Sequence, residues 1–266
     1  MRLPRRFAPR NDRKGNKMND KKWKTSISGI VDGEVHIHGY KITDLIDQVS
    51  FTDAIWLELK GELPNEKEKA MLDSILISTI DNGMGPPSVT NARNSASAGN
   101  PMQASVAAGV LGIGEYHGGA IEECARLLQM GMSAEALIEK VIGSGDRIPG
   151  FGHKVYKDED PRATQIFEKA KSLGFFGEHC ELAQDVEKVL EEKKGKKIVI
   201  NVDGAIAAVV SDMGFDYRLG KGFFIIGRVV GLIAHIFEEI VREKPFRRIS
   251  DEEIEYDGTP ARKITK

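Results

Sequence analysis

Beyond residue 50, almost every apolar run in this chain repeats with helical spacing, and only the stretch from Lys24 to His38 alternates as a strand does. That contrast sets the fold class as mainly α, with a small N-terminal β-hairpin. The runs Thr25-Ser-Ile-Ser-Gly-Ile-Val31 and Glu34-Val-His-Ile-His38 flank Asp32-Gly33, a hairpin turn signal. Ser50 with Asp53 and Asn65 with Glu68 then have capping-box spacing. The first pair opens a helix with Ile55, Trp56 and Leu59 inward that ends at Gly61, and the second precedes Met71, Leu72, Ile75, Leu76 and Ile80. Further helices are expected at residues 104–113, 119–130, 134–142, 161–173, 178–194, 203–213 and 221–243. The longest apolar stretch, Phe223 to Val241, is interrupted by Arg228, His235, Glu238 and Glu239, which are costly in hydrocarbon, so it reads as a buried helix and not a membrane span.

Lys and Arg total 38 against 40 Asp and Glu, a net charge of −2, and no aromatic-basic stripe is present. A nucleic-acid binder running on phosphate neutralisation is therefore not expected. Cys124 and Cys180 form no CxxC and no spacing that closes a metal site, so the expectation is a reduced, cytoplasmic chain without a metal. Residues 1–18 carry Arg2, Arg5, Arg6, Arg10, Arg13, Lys14 and Lys17 against Asp12 and read as a basic disordered tail.

Gly112-Ile-Gly114-Glu-Tyr-His117 has His where a dinucleotide fingerprint needs its third Gly, and it follows no strand, so a Rossmann reading fails. The long segment Gly143 to Arg162 is richer in reactive side chains, as functional loops are. It ends at Asp160-Pro161, an N-cap followed by Pro at the first helical position. Arg162, in the first helical turn, either pairs with Asp158 or Glu159 or joins the helix N-terminus in holding an anion such as a carboxylate. Asp203 lies in Ile198-Val-Ile-Asn-Val-Asp203-Gly-Ala-Ile-Ala-Ala, where desolvation raises a carboxyl pKa; it is either a base or an N-cap. Arg228 interrupts an apolar run, so a buried guanidinium there either pairs with Asp203 or Asp212 or binds a substrate carboxylate. His117 and His153 each adjoin glycines that let a substrate approach the backbone. His36, His38, His179 and His235 lack that setting and read as surface or packing residues.

Taken in order, His117-Gly-Gly-Ala120, Gly150-Phe-Gly-His-Lys-Val-Tyr-Lys-Asp-Glu-Asp-Pro-Arg162, Asn201-Val-Asp203 and Gly227-Arg228 resemble the citrate synthase superfamily. The resemblance runs from about Ser28 to Ser250 and includes Asp32-Gly-Glu through His38-Gly-Tyr40, Phe51 onward, and Gly61-Glu-Leu-Pro64. The block that a typical citrate synthase carries before its substrate-binding His is absent between Pro64 and Asn82. The short form, with Asp81-Asn-Gly and Pro87-Ser-Val-Thr-Asn-Ala-Arg-Asn94, looks more like stand-alone citryl-CoA lyase and the C-terminal module of ATP-citrate lyase.

The resemblance implies a two-domain helical homodimer with shared active sites. Residues 19–117 and 216–266 would form a large domain for dimerisation and substrate, and 118–215 a small one that binds coenzyme A. His117 would stabilise the enol oxygen of acetyl-CoA, His153 would take the proton of the citryl hydroxyl, and Asp203 would exchange the methyl proton. Arg162 and Arg228 would hold carboxylates, with Arg248 reaching the neighbouring protomer's site and Phe224 packing on the acyl end. Ile148, Pro149, Gly150, Phe151 and Gly152, with Lys154 and Lys157, would lie along the CoA. The thioester is itself the substrate, as citryl-CoA or as acetyl-CoA with oxaloacetate, so no separate cofactor is implied. The family commonly has His where Asn82 stands, and Arg93 is the alternative source of positive charge nearby. Three functions follow: a citryl-CoA lyase, a short citrate or 2-methylcitrate synthase, or a non-catalytic CoA-ester-binding subunit of a larger lyase assembly.

Overall fold

A computed structural model describes residues 23–143 and 145–264. The basic tail at residues 1–18 lies outside the described residues. The described residues divide into two compact units, one up to Pro64 and one from Asn65 onward.

In the first unit β1 (Ser28–Val31), β2 (Glu34–Ile37) and β3 (Tyr40–Lys41) form one antiparallel sheet in the order β1-β2-β3. Ser28 faces Ile37 and Val31 faces Glu34, leaving Asp32 (φ 52°) and Gly33 (φ 83°) as the two turn residues. Both have positive φ, as a type I′ turn demands. The third strand, not expected from the sequence, is only two residues long. After α1 (Ile42–Gln48) comes α2 (Phe51–Lys60), which starts at the expected capping box: Asp53 N donates to Ser50 Oγ and Ser50 N to Asp53 Oδ2. Trp56 and Leu57 are its buried residues, whereas Ile55 and Leu59 are only half-buried, so the inward stripe is narrower than expected.

The second unit contains α3 (Glu66–Thr79), α4 (Pro87–Ser97), α5 (Met102–Leu111), α6 (Ala120–Leu128), α7 (Ala134–Gly143), α8 (Pro161–Leu173), α9 (Glu178–Lys194), α10 (Val202–Asp212) and α11 (Gly220–Arg242). The Asn65–Glu68 capping box opens α3 as expected. Helix α4 is an addition. Its Ser, Asn and Thr content lowers helix propensity, but Pro87 at its first position and burial of Ser88, Val89, Ala92 and Ala96 override that. Gly109 lets α5 approach α4 closely, since a Cβ there would lie 3.0 Å from the Ser88 carbonyl oxygen. Helix α10 is central, with every residue from Gly204 to Ser211 buried, and packs against α6, α8 and α9.

The long apolar helix α11 departs from expectation. It buries Phe223, Phe224, Gly227, Arg228, Gly231, Leu232 and Ile236 but leaves Val230, Ile233, Phe237, Ile240 and Val241 exposed. Among the described residues no helix is long and apolar enough to cross a membrane, and no cluster of His, Cys, Asp and Glu could hold a metal ion.

Candidate active site

Entry into α10 fixes the first functional side chain. Asn201, not Asp203, is the N-cap: its Oδ1 accepts from the N–H groups of Asp203 (3.0 Å) and Gly204 (3.2 Å). The Asp203 carboxylate is thereby released from capping. Burial pushes its pKa up, and the nearby guanidinium groups of Arg162 and Arg228 pull the other way. The segment before the helix is knitted to the glycine loop. Gly152 N donates to Val199 O, Asn201 N to Gly150 O, and Asn201 Nδ2 to Gly152 O. Gly150 (φ +83°) has the Gly204 Cα 2.7 Å from where a Cβ would stand, so only glycine lets this loop rest on the first turn of α10. Ile148 to Gly152 therefore run beside Asp203.

Asp160 ties the other end of that loop down. Its carboxylate is buried and accepts from Arg162 N (3.1 Å), Arg162 Nε (3.1 Å), Arg162 Nη2 (2.9 Å) and Val202 N (3.1 Å). One side chain thus caps α8, neutralises the arginine in its first turn and joins α8 to the start of α10. Arg162 pairs with Asp160, not with Asp158 or Glu159. His153 sits opposite, stacked on Tyr156 at 4.7 Å with Arg162 Nη2 3.3 Å from its Nε2. Its Nδ1 accepts from Val155 N and Tyr156 N, both at 3.1 Å, so in the neutral ring Nε2 carries the hydrogen. Burial, Arg162 and Lys157 keep its pKa low.

His117 is placed by α4 and α11. Its Nε2 lies 2.7 Å from Ser88 Oγ, and Phe224 meets its ring edge-on at 5.4 Å. Gly118 (φ +79°) makes room, because a Cβ there would fall 2.6 Å from Phe224 Cδ1. Burial first, and then Arg228, lower the His117 pKa, which favours the uncharged imidazole. The Arg228 guanidinium lies over the Phe224 ring, 4.7 Å from its centroid. It pairs with neither Asp203 nor Asp212; the latter instead accepts from Gly177, His179 and Cys180.

Two cavities flank the glycine loop. One, of about 1000 Å³, is bounded by Asp203, Asn201, Gly118 and the segment Gly145 to Phe151. The other, of about 780 Å³, is bounded by Arg147, His153, Lys154 and Lys157 with Lys194, Lys196 and Lys197. The sequence reading missed the last three lysines, which the end of α9 brings to the loop. Asn82 follows α3 with its side chain exposed. Arg93 does not substitute for it, being buried against Glu239 (2.6 Å) and Glu238 (2.8 Å). Arg248 lines neither cavity and pairs with Asp251 (2.6 Å) on an exposed C-terminal segment.

Residues 66–249 match the family described as citrate synthase, C-terminal domain. The chain belongs to the citrate synthase family. The structure resembles citryl-CoA lyase from Hydrogenobacter thermophilus with a TM-score of 0.88 and 49% identity, over 92% of this chain and 98% of that one. It also resembles ATP citrate lyase from Methanothrix soehngenii in complex with citrate and coenzyme A, with a TM-score of 0.79 and 26% identity over 91% of this chain and 42% of that one. Citrate synthase of Heyndrickxia coagulans is 28% identical over 83% of this chain and 61% of that protein. The chain spans between 30% and 61% of the length of the curated relatives it matches. Within this family site, Ser88 and the Asp160 bridge escaped sequence reasoning, because nothing local ties Ser88 to His117 or Asp160 to Val202.

Proposed function

We propose that this protein is a homodimeric citryl-CoA lyase that cleaves citryl-CoA to acetyl-CoA and oxaloacetate. One observation carries the reading: the chain spans 98% of the Hydrogenobacter thermophilus citryl-CoA lyase at 49% identity. The site geometry supports it. Arg228 presents a buried Nη1, unpartnered among the described residues, to an anionic ligand, and Arg162 lies beside His153, with its Nε and Nη2 held by Asp160 and its Nη1 left for a ligand. Both suit carboxylates of the citryl moiety, with Asn82 adding an uncharged donor. The loop Ile148-Pro149-Gly150-Phe151-Gly152 with Lys154 and Lys157 then follows the CoA, and the further lysines of the second cavity suit its phosphates. Residues 118–215 act as the CoA-binding domain, and 19–117 with 216–266 as the large one.

Cleavage moves the hydroxyl proton of the tertiary carbinol to His153 as the carbon-carbon bond breaks. To accept it at Nε2, the ring must first give up its Nδ1 contacts with Val155 and Tyr156. The electron pair of the broken bond enters the thioester as an enolate, whose negative oxygen needs a hydrogen-bond donor. His117 supplies that donor from Nδ1 when the Ser88 hydroxyl donates to Nε2, a term of about 3–4 kcal/mol for a well-placed group. Phe224 packs on the acyl end. Protonated Asp203 finally returns a proton to the terminal carbon, a task that its raised pKa suits.

The exposed stripe Val230, Ile233, Phe237, Ile240 and Val241 on α11 fits burial against a second copy, which agrees with Arg248 acting across the dimer. The relatives named citrate synthase favour a second reading, condensation of acetyl-CoA with oxaloacetate. Incubation with citryl-CoA separates the two. A lyase releases oxaloacetate without free thiol, whereas release of citrate and CoA overturns that assignment and favours the synthase.

A further inference from the structure

Helix α11 carries a second relationship that the reaction scheme does not use. Arg228, Gly231 and His235 lie one turn apart along one face, and the segment after α3 crosses that face at Gly231. A Cβ on Gly231 would stand 2.3 Å from Ile80 O and 3.4 Å from the Asp81 Cβ. Asp81 is therefore seated over Gly231, three residues after Arg228 and four before His235, where its carboxylate has a cation or ring donor on either side. In the structure it turns to His235: Nε2 of the ring lies 3.2 and 3.3 Å from the two Asp81 oxygens. Arg228, anchored to Thr79 O only two residues before Asp81, keeps Nη1 free.

We infer that His235 is a positioning residue that holds Asp81 away from Arg228, so that the guanidinium stays available for a carboxylate of the substrate. Without the ring, Asp81, seated over Gly231 one turn from Arg228 and already acting on it through its charge, is free to turn to the buried Nη1, and an internal ion pair would compete with substrate at the same atom. His235, read from the sequence as a surface or packing residue, is thereby given a function through Asp81. This rests on the reading of Arg228 as a carboxylate donor, which the test examines separately.

Citrate binding by calorimetry is the probe, with CoA binding and thermal melting recorded for each variant. Arg228→Gln weakens citrate binding with little change for CoA; if citrate affinity is unaltered, the Arg228 reading falls and this inference with it. Given that loss, His235→Ala weakens citrate binding about tenfold, the order expected when a charge-assisted contact is lost to a competitor, and leaves CoA affinity as in the parent. Asp81→Asn binds citrate at least as well as the parent, and Asp81→Asn with His235→Ala regains most of what His235→Ala lost. A merely structural histidine predicts the opposite, since removing both partners would not restore affinity. Failure of the double variant to recover, in a protein that melts normally, overturns the inference while leaving Arg228 in place. If His235→Ala does not fold, weaker citrate binding by Asp81→Asn is itself sufficient to overturn it.

Discussion

Ser88 Oγ lies 2.7 Å from Nε2 of His117, joining the first turn of α4 to a glycine-rich bend 29 residues later. Ser88 is fully buried, so this hydroxyl has no water to turn to and its direction is set by the imidazole. On the proposed mechanism, the pair decides which ring nitrogen of His117 faces the substrate as a donor. Replacing Ser88 by Ala is expected to lower the rate of oxaloacetate release about tenfold, the scale of one lost hydrogen bond with its tautomer control, with little change in the KM for citryl-CoA. Steady-state kinetics test this, and a change in KM alone would show that Ser88 serves binding.

Asp203 pays for its chemistry in stability. Its folded pKa is raised, so its contribution favours folding below the ordinary carboxylate range and is lost as pH rises through the raised value. Its cost to the fold is therefore greater at neutral pH than below the ordinary carboxylate range. Asp203→Asn is expected to melt at the same temperature as the parent or higher at pH 7, with that advantage shrinking below about pH 4. Turnover falls by at least about 100-fold while CoA thioester binding persists. Melting curves at the two pH values, set beside activity, distinguish this from a capping role, which would make the variant less stable.

Asp212 behaves in the opposite sense. Hydrogen bonds from Gly177 N, His179 N, His179 Nδ1 and Cys180 N hold its carboxyl at about 2 against an ordinary 3.8, despite burial. A depressed pKa gives stability that is present above the ordinary value and lost as pH falls toward about 2. The difference corresponds to about 2 kcal/mol. Asp212→Ala should lose at least that much in urea unfolding at pH 7, through unfastening the start of α9 from the end of α10. Equal urea midpoints for variant and parent would disprove it.

Much of this molecule was legible where the determining interactions are local. The Ser50 and Asn65 capping boxes, the Asp32-Gly33 turn and the Asp160-Pro161 start of α8 depend on residues within one turn of each other, and the structure has all four. The ordered motifs likewise led to His117, His153, Asp203, Arg162 and Arg228, and the structure sets these beside the glycine loop or around Phe224. What escaped were pairings across the fold. Arg228 finds Thr79 149 positions away, Arg93 finds Glu239 146 away and His235 finds Asp81 154 away. No sequence spacing encodes such contacts. Helix α11 was misread as wholly buried for a related reason: its apolar residues cover almost the whole circumference, and periodicity alone does not say which side meets its own core.

Arg248 supplies the prediction that reaches beyond one chain. It follows Arg247, which is clamped to the buried Glu239 through Nε (3.0 Å) and Nη2 (2.7 Å), while Arg248 itself is exposed and pairs with Asp251. The clamp fixes where the segment leaves the body and leaves the next guanidinium pointing outward. On the proposed dimer, that group completes the carboxylate site of the partner. Arg162 has already committed Nε and Nη2 to Asp160, so a substrate with several carboxylates needs a further donor. An Arg248→Ala homodimer should then bind citrate weakly and keep its CoA affinity. Mixing it with Asp203→Asn protomers should restore activity, because each mixed dimer contains one site with an intact Asp203 from one chain and an intact Arg248 from the other. Random exchange makes about half of the dimers mixed, each with one working site, so activity should return to roughly a quarter of the parent's. Exchange verified by mass, with no recovery, would show that Arg248 acts within its own chain or not at all.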